Sequence, residues 1–192
     1  REGLLDDQFV LYKSIAASLW QRRLVGQQQD GADAIALGDI DEDGNIDVAA
    51  ASENLEVIQW FRNPGPTSLL PTAPQVPWDV FNIGELSDVS VNGEDGSGRI
   101  NQVRLVDMEG DGHLECYVTA NQSNDTDGVA FLFQRQADVA DVWSGSPMFT
   151  TDPAGEIGPS GFLDVDGNGL IDVIAPINRA GLNKDQIIIF ER

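Results

Sequence analysis

The chain has 192 residues, 32 of them acidic against 11 basic, for a formal net charge of −21, and it carries one cysteine. That balance argues against nucleic acid, whose phosphates need basic patches, and equally against anionic membrane surfaces. One cysteine excludes an intramolecular disulfide, and no apolar run approaches the roughly 20 residues of a membrane-spanning helix.

In chain order, residues 1–26 read as two strands, the second opened by Trp20 in LWQRRLV. The alternative is a small helical cap, with 13–20 helical. A strand at 34–38 then runs into an acidic loop, Asp39, Asp41, Asp43, Asn45 and Asp47 in DIDEDGNID, and a strand follows at 46–52. A third strand ends on Trp60 and Arg62. A stretch at 63–78 holds five of the nine prolines, and Trp78 in PWDVFNI opens a fourth strand. The sequence then repeats itself. A strand at 100–106 precedes Asp107, Glu109, Asp111, His113 and Glu115, and 114–120, Phe133/Arg135 and Trp143 follow. A strand at 158–163 precedes Asp164, Asp166, Asn168, Leu170 and Asp172, and 171–177 and Phe190/Arg192 follow.

The three loops begin 68 and 57 residues apart and share one template. Oxygen-bearing side chains stand at positions 1, 3, 5 and 9, a glycine at 6 and an apolar residue at 8. Ca²⁺ takes six to eight hard oxygen ligands, and alternating carboxylates converge on it only if the backbone curls, which the glycine permits. Position 7 offers a backbone carbonyl, so its side chain is free to vary, as Asn45, His113 and Leu170 do. A single such loop has a competing, less favoured reading as a solvated Asp/Gly turn; the triplicate spacing disfavours that reading further. An EF-hand is excluded, because it needs a Glu at position 12 and flanking helices. Position 12 is Ala50, Val118 and Ala175, inside β-leaning runs.

Each cage therefore sits in the turn of a β-hairpin, and four short strands per unit of about 60 residues is the pattern of a propeller blade. GDIDEDGNIDVAAAS, VDMEGDGHLECYVTA and LDVDGNGLIDVIAPI resemble FG-GAP or VCBS-type repeats, the blades of integrin-α-like β-propellers, over roughly residues 30–192. The Phe-Gly and Gly-Ala-Pro signatures are absent, which points to the VCBS-like branch. The expected fold is all-β, with about three blades of four antiparallel strands forming a partial propeller. Residues 1–26 end a preceding blade, 27–83 and 84–150 are blades, and 151–192 is an incomplete one. The resemblance implies a Ca²⁺ loop between the first and second strands of each blade, about three ions in all. Closed propellers have four to eight blades, so the chain is read as part of a longer one. An open arc is expected to self-associate through raw strand edges.

The aromatics are expected between sheets. Cys116 takes the slot of Val48 and Val173 and reads as a buried strand residue, and His113, in the variable position, has no catalytic reading. The leading function is a non-enzymatic Ca²⁺-binding module for adhesion or scaffolding, with a protein or glycan ligand. Its setting is extracellular, cell-surface or periplasmic, where the ion is millimolar and a weak site still fills. By resemblance, partner contacts belong on the face opposite the cages, at 84–98, 121–128, 151–158 and 178–185. Asn121 and Asn124 begin glycosylation sequons. The alternative is a carbohydrate-binding or lyase-like secreted protein, but the spare acids (Asp79, Asp88, Glu94, Asp95, Asp152, Glu156) form no recurring constellation.

Overall fold

The computed structural model describes residues 7–16, 19–28, 32–52, 56–65, 78–91, 94–95, 97–122, 128–151, 155–179 and 185–192. Residues 66–77 of the proline-rich stretch, Ser123 and the 124–126 sequon, Asp152, and residues 180–184 lie outside that set.

The chain is all-β, built from antiparallel sheets that meet in sequence order. The first sheet is the hairpin β1 (Asp7–Ala16) and β2 (Leu19–Gln28). The second is a meander of β3 (Ala32–Gly38), β4 (Asp47–Ser52), β5 (Val57–Arg62) and β6 (Asp79–Glu85). A 3₁₀ turn (Leu86–Asp88) and a short hairpin of β7 (Ser90–Val91) and β8 (Glu94–Asp95) lead onward. The third sheet repeats the meander with β9 (Gly98–Val106), β10 (Glu115–Gln122), β11 (Gly128–Gln134) and β12 (Ser144–Thr150). In the fourth, β13 (Glu156–Ile157) and β14 (Gly161–Leu163) together flank β15 (Asp172–Asn178), which pairs on its other side with β16 (Gln186–Phe190). Among the described residues no helix is long and apolar enough to cross a membrane.

Two-residue alternation decides which sheet each side chain meets. In β10 and β11, Cys116, Val118, Phe131 and Phe133 face the second sheet, whereas Tyr117, Ala130 and Leu132 face the fourth. Ala50 and Phe61 of the second sheet face the first, around Val25 and Trp78. Polar groups also enter the last interface. Ser160 N–H donates to Gln102 Oε1 at 2.8 Å, and the Tyr117 and Ser160 hydroxyls lie 3.0 Å apart. Burial pushes the Tyr117 phenol up to about 12, so it stays neutral there.

The sheets also share an irregularity that no sequence pattern revealed. The last strand of each of the first three sheets bulges at one residue, Val25 in β2, Ile83 in β6 and Met148 in β12, where the register skips. A bulge leaves its extra residue out of the ladder. The Val25 carbonyl accepts the Trp78 N–H at 3.2 Å, and the Ile83 carbonyl accepts the Trp143 N–H at 2.9 Å. The tryptophans thus lock β6 to β2 and β12 to β6. The residue after each bulge receives the aromatic of the next sheet's third strand. Gly84 lies under the Phe133 ring, and Phe149 stacks on Phe190 with centroids 3.5 Å apart.

Two expectations are corrected. The helical alternative for 13–20 fails, because Lys13 and Ser14 pair with Gln21 and Trp20 across a hairpin that satisfies their backbone groups. The repeated third-strand aromatic is Phe61, not Trp60: Phe61, Phe133 and Phe190 pair with the equivalent Val48, Cys116 and Val173. Trp60 turns to the opposite side and stacks on Phe81. Trp60, Trp78 and Trp143 are buried between sheets as expected, but Trp20 is 63% exposed, as is Tyr12 at 57%, at the place Phe61 holds in the second sheet.

An alanine Cβ at Gly84 would lie 2.6 Å from the Phe133 ring. Gly84→Ala is expected to cost about 1–3 kcal/mol through overpacking, read as a lower urea midpoint. An unchanged midpoint would show that the ring yields freely.

Candidate metal centres

The acidic loops join β3 to β4, β9 to β10 and β14 to β15, at Asp39–Asp47, Asp107–Glu115 and Asp164–Asp172. The glycine at position 6 is left-handed in all three, with φ of +86° at Gly44 and +90° at Gly112 and Gly169. Position 4 is left-handed as well, at Gly110 (+71°), Gly167 (+78°) and Glu42 (+62°). The carboxylate at position 1 braces these turns. Asp107 accepts the N–H groups of Gly110, Asp111 and Gly112, and Asp164 those of Gly167, Asn168 and Gly169. Asp39 accepts the Gly44 N–H at 3.0 Å.

The carboxylate at position 9 starts the second strand and is buried in every copy. Asp47 accepts the Ile40 N–H at 3.0 Å and the Asn63 N–H at 2.8 Å, which pins the loop to the end of β5. Asp172 does the same with Val165 and Arg192 at 2.8 and 3.0 Å. Glu115 accepts the Met108 N–H at 2.7 Å. Burial raises the carboxyls of Asp47 and Glu115 above the ordinary range; the backbone donors oppose that, and the neighbouring loop acids add to it.

Two of the loops gather acids tightly enough to hold a metal ion. Asp39, Asp41 and Asp47 form one group and Asp164, Asp166 and Asp172 the other, with the candidate ligand atoms of each within 4.8 Å of one another. Asp39 Oδ1 is buried without a hydrogen-bond donor, which fits a site built for a cation. Arg62 Nε, 2.6 Å from Asp41 Oδ2, supplies part of the balancing charge.

Of the other expected acidic ligands in these two loops, Asp43 is not part of its triad. Asp43 accepts the Asn45 N–H and side-chain amide, both at 2.8 Å, while Asn168 donates to Asp166 and to the Arg192 carbonyl and accepts the Leu170 N–H. In the second loop Asp107, Glu109 and Glu115 form no such triad among the described residues. Glu109 is drawn off by Arg192 Nη2 at 2.8 Å and Gln134 Nε2 at 3.1 Å. Asp111 caps His113 N–H.

Arg192 belongs to a device that the sequence showed only as a residue type. Its Nη1 donates to the Met108 carbonyl at 3.1 Å, across to the preceding loop. Arg135, its counterpart, donates to the Ile40 carbonyl at 3.3 Å and to Glu42 at 2.6 Å. Each arginine ties position 2 of the previous acidic loop to the next sheet. His113 Nδ1 meets the same Glu42 at 2.5 Å, and contact with His113, then Arg135, holds the Glu42 carboxyl below its ordinary value. Glu42 is the one non-glycine at left-handed position 4, and this clasp fixes it there. No family model matches the chain, and no match to it is found among curated proteins.

Because the folded values of Asp47 and Glu115 lie above the unfolded ones, the folded state holds more protons there, and stability falls as pH rises from the ordinary carboxylate range, about 4, through the raised values. Metal-free protein is expected to melt lower at pH 7 than at pH 5, with divalent cation narrowing the gap. Thermal melts in EDTA and in excess cation check this.

Proposed function

We propose that the chain is a Ca²⁺-stabilised stack of propeller-type blades whose role is binding, not catalysis. The observation that carries this reading is the pair of converging carboxylate triads in loops of one template. Purely oxygen donors suit a hard cation, and the loose spacing with a backbone carbonyl at position 7 suits Ca²⁺ better than the strict octahedron of Mg²⁺. In the second loop the acids form no such triad among the described residues, so that site is the weakest of three.

Support for binding over catalysis comes from the placement of the perturbed acids. Among the described residues the carboxyls held above their ordinary range, Asp47 and Glu115, are tied to backbone N–H groups inside the loops. A general acid or base needs to reach a substrate in a cleft. Sugar recognition on aromatic platforms rests on Trp20 and Tyr12, which are exposed, since Trp60, Trp78 and Trp143 are buried. The favoured partner is a protein or glycan met at the loops opposite the cages, in an extracellular or periplasmic setting where Ca²⁺ is abundant. FG-GAP or VCBS-type membership is part of the same reading and rests on the loop template.

Calorimetric titration of EDTA-stripped protein with Ca²⁺ is expected to give two tighter ions and a third weaker one. Each site filled to about 100 times its Kd adds about 2.7 kcal/mol of stability. Asp164→Ala should lose one of the tighter ions and spare the other. No binding, or the same stoichiometry in that variant, would sink the metal reading.

A further inference from the structure

The two acidic triads share a template but not a charge environment. In the first loop the Asp41 side chain is 5% exposed, and Arg62 Nε lies 2.6 Å from its Oδ2. Arg62 Nη2 stands 3.9 Å from Asp43 Oδ2. No hydrogen-bond donor is aimed at Asp41 Oδ2 or at Asp39 Oδ1, both of them out of reach of solvent. Arg62 therefore lends the triad positive charge without filling the acceptor capacity of its buried oxygens.

The strand register shows that this arginine holds a repeated place. Phe61, Phe133 and Phe190 pair with the equivalent Val48, Cys116 and Val173, and the residues after them are Arg62, Gln134 and Glu191. In two sheets that place serves the acid at position 3 of the sheet's own loop. Arg62 meets Asp41, and Gln134 Nε2 donates to Glu109 at 3.1 Å. In the last sheet the place holds a glutamate, and the position 3 acid, Asp166, takes hydrogen bonds from Asn168. Among the described residues no arginine, lysine or histidine side chain pairs with Asp164, Asp166 or Asp172. Arg192 turns its guanidinium to Met108 and Glu109 of the preceding loop instead. The residue at this place thus runs from positive through neutral to negative across the three loops.

We infer that Arg62 sets the cation affinity of the first loop as a resident counter-charge, so that the third loop fills before the first. The inference rests on the metal reading of these loops and ranks its two tighter sites. A divalent ion drawn into the first triad shares the Asp41 carboxylate with a guanidinium that repels it. In the third loop it meets no such partner on its acids. Affinity in oxygen cages follows the charge of the site. One positive charge a few ångströms from a divalent ion weakens its binding about tenfold even at a water-like dielectric. The third site then keeps its ion at concentrations where the first is still exchanging, and the first is the one that responds to the surrounding Ca²⁺ level.

The test is calorimetric Ca²⁺ titration of EDTA-stripped protein carrying Asp164→Ala, in which the tighter ion that is left belongs to the first loop. Arg62 is exposed, and each variant is first shown by its melt to be folded. Adding Arg62→Gln should lower the Kd of that ion about tenfold, while Arg62→Lys, which keeps the charge, should leave it close to the parent value. The tighter ion left in the matching Asp39→Ala protein, that of the third loop, should bind more tightly than the ion left in the Asp164→Ala protein. An unchanged or higher Kd with Arg62→Gln, an equal fall with Arg62→Lys, or weaker binding at the third loop than at the first would overturn the inference and leave the metal reading standing. Absence of Ca²⁺ binding from the unaltered chain and from every variant would sink the metal reading, and this inference with it.

Discussion

A buried carboxylate at the first residue of each second strand is the constraint on which the rest of the architecture depends. Asp47, Glu115 and Asp172 are at most 4% exposed. A charge so placed is costly unless hydrogen-bonded or paired with a cation. Each therefore takes a backbone N–H from position 2 of its own loop, and Asp47 and Asp172 take a second from just beyond the third strand. These bonds fix the loop's curl and set the third strand's end beside it. They also bring the other loop acids close. The same geometry that makes the acids repel one another makes a cation the natural counterpart.

Stacking of one sheet on the next follows a second rule, written in backbone irregularity and aromatic position. The bulge turns a carbonyl out of the ladder, the tryptophan N–H takes it, and a ring covers the next residue. Where the covered residue is glycine, as at Gly84, the ring lies directly on the backbone. Where it is Phe149, two rings stack instead. The arginine clasps at Arg135 and Arg192 add a polar tie at the loop end of the same interfaces. Apolar packing and charge pairing thus act at different heights along one contact.

Much of this was legible in the residues. The acidic template located three hairpin turns, and the strands beside them begin within about three residues of the apolar runs that suggested them. What escaped was whatever depends on register. Trp60 and Phe61 are adjacent aromatics, and only pairing with Val48 shows which of them belongs to the repeat. The bulges leave no compositional mark, since Val25, Ile83 and Met148 are ordinary apolar residues. The diversion of Glu109 comes from Arg192, 83 residues away in sequence, a distance no local pattern spans. The glycine at position 4 was a signal in plain view. It recurs in two loops, and the third fills its place with Glu42 and pays through the clasp.

Cys116 acquires a use from its position. It is fully buried in the interface between the second and third sheets, and burial raises its thiol far above the ordinary value. Reagents that attack the thiolate therefore reach it only when those two sheets part. As the one sulfhydryl in the chain, it makes the rate of chemical labelling a clock for the opening of a single interface.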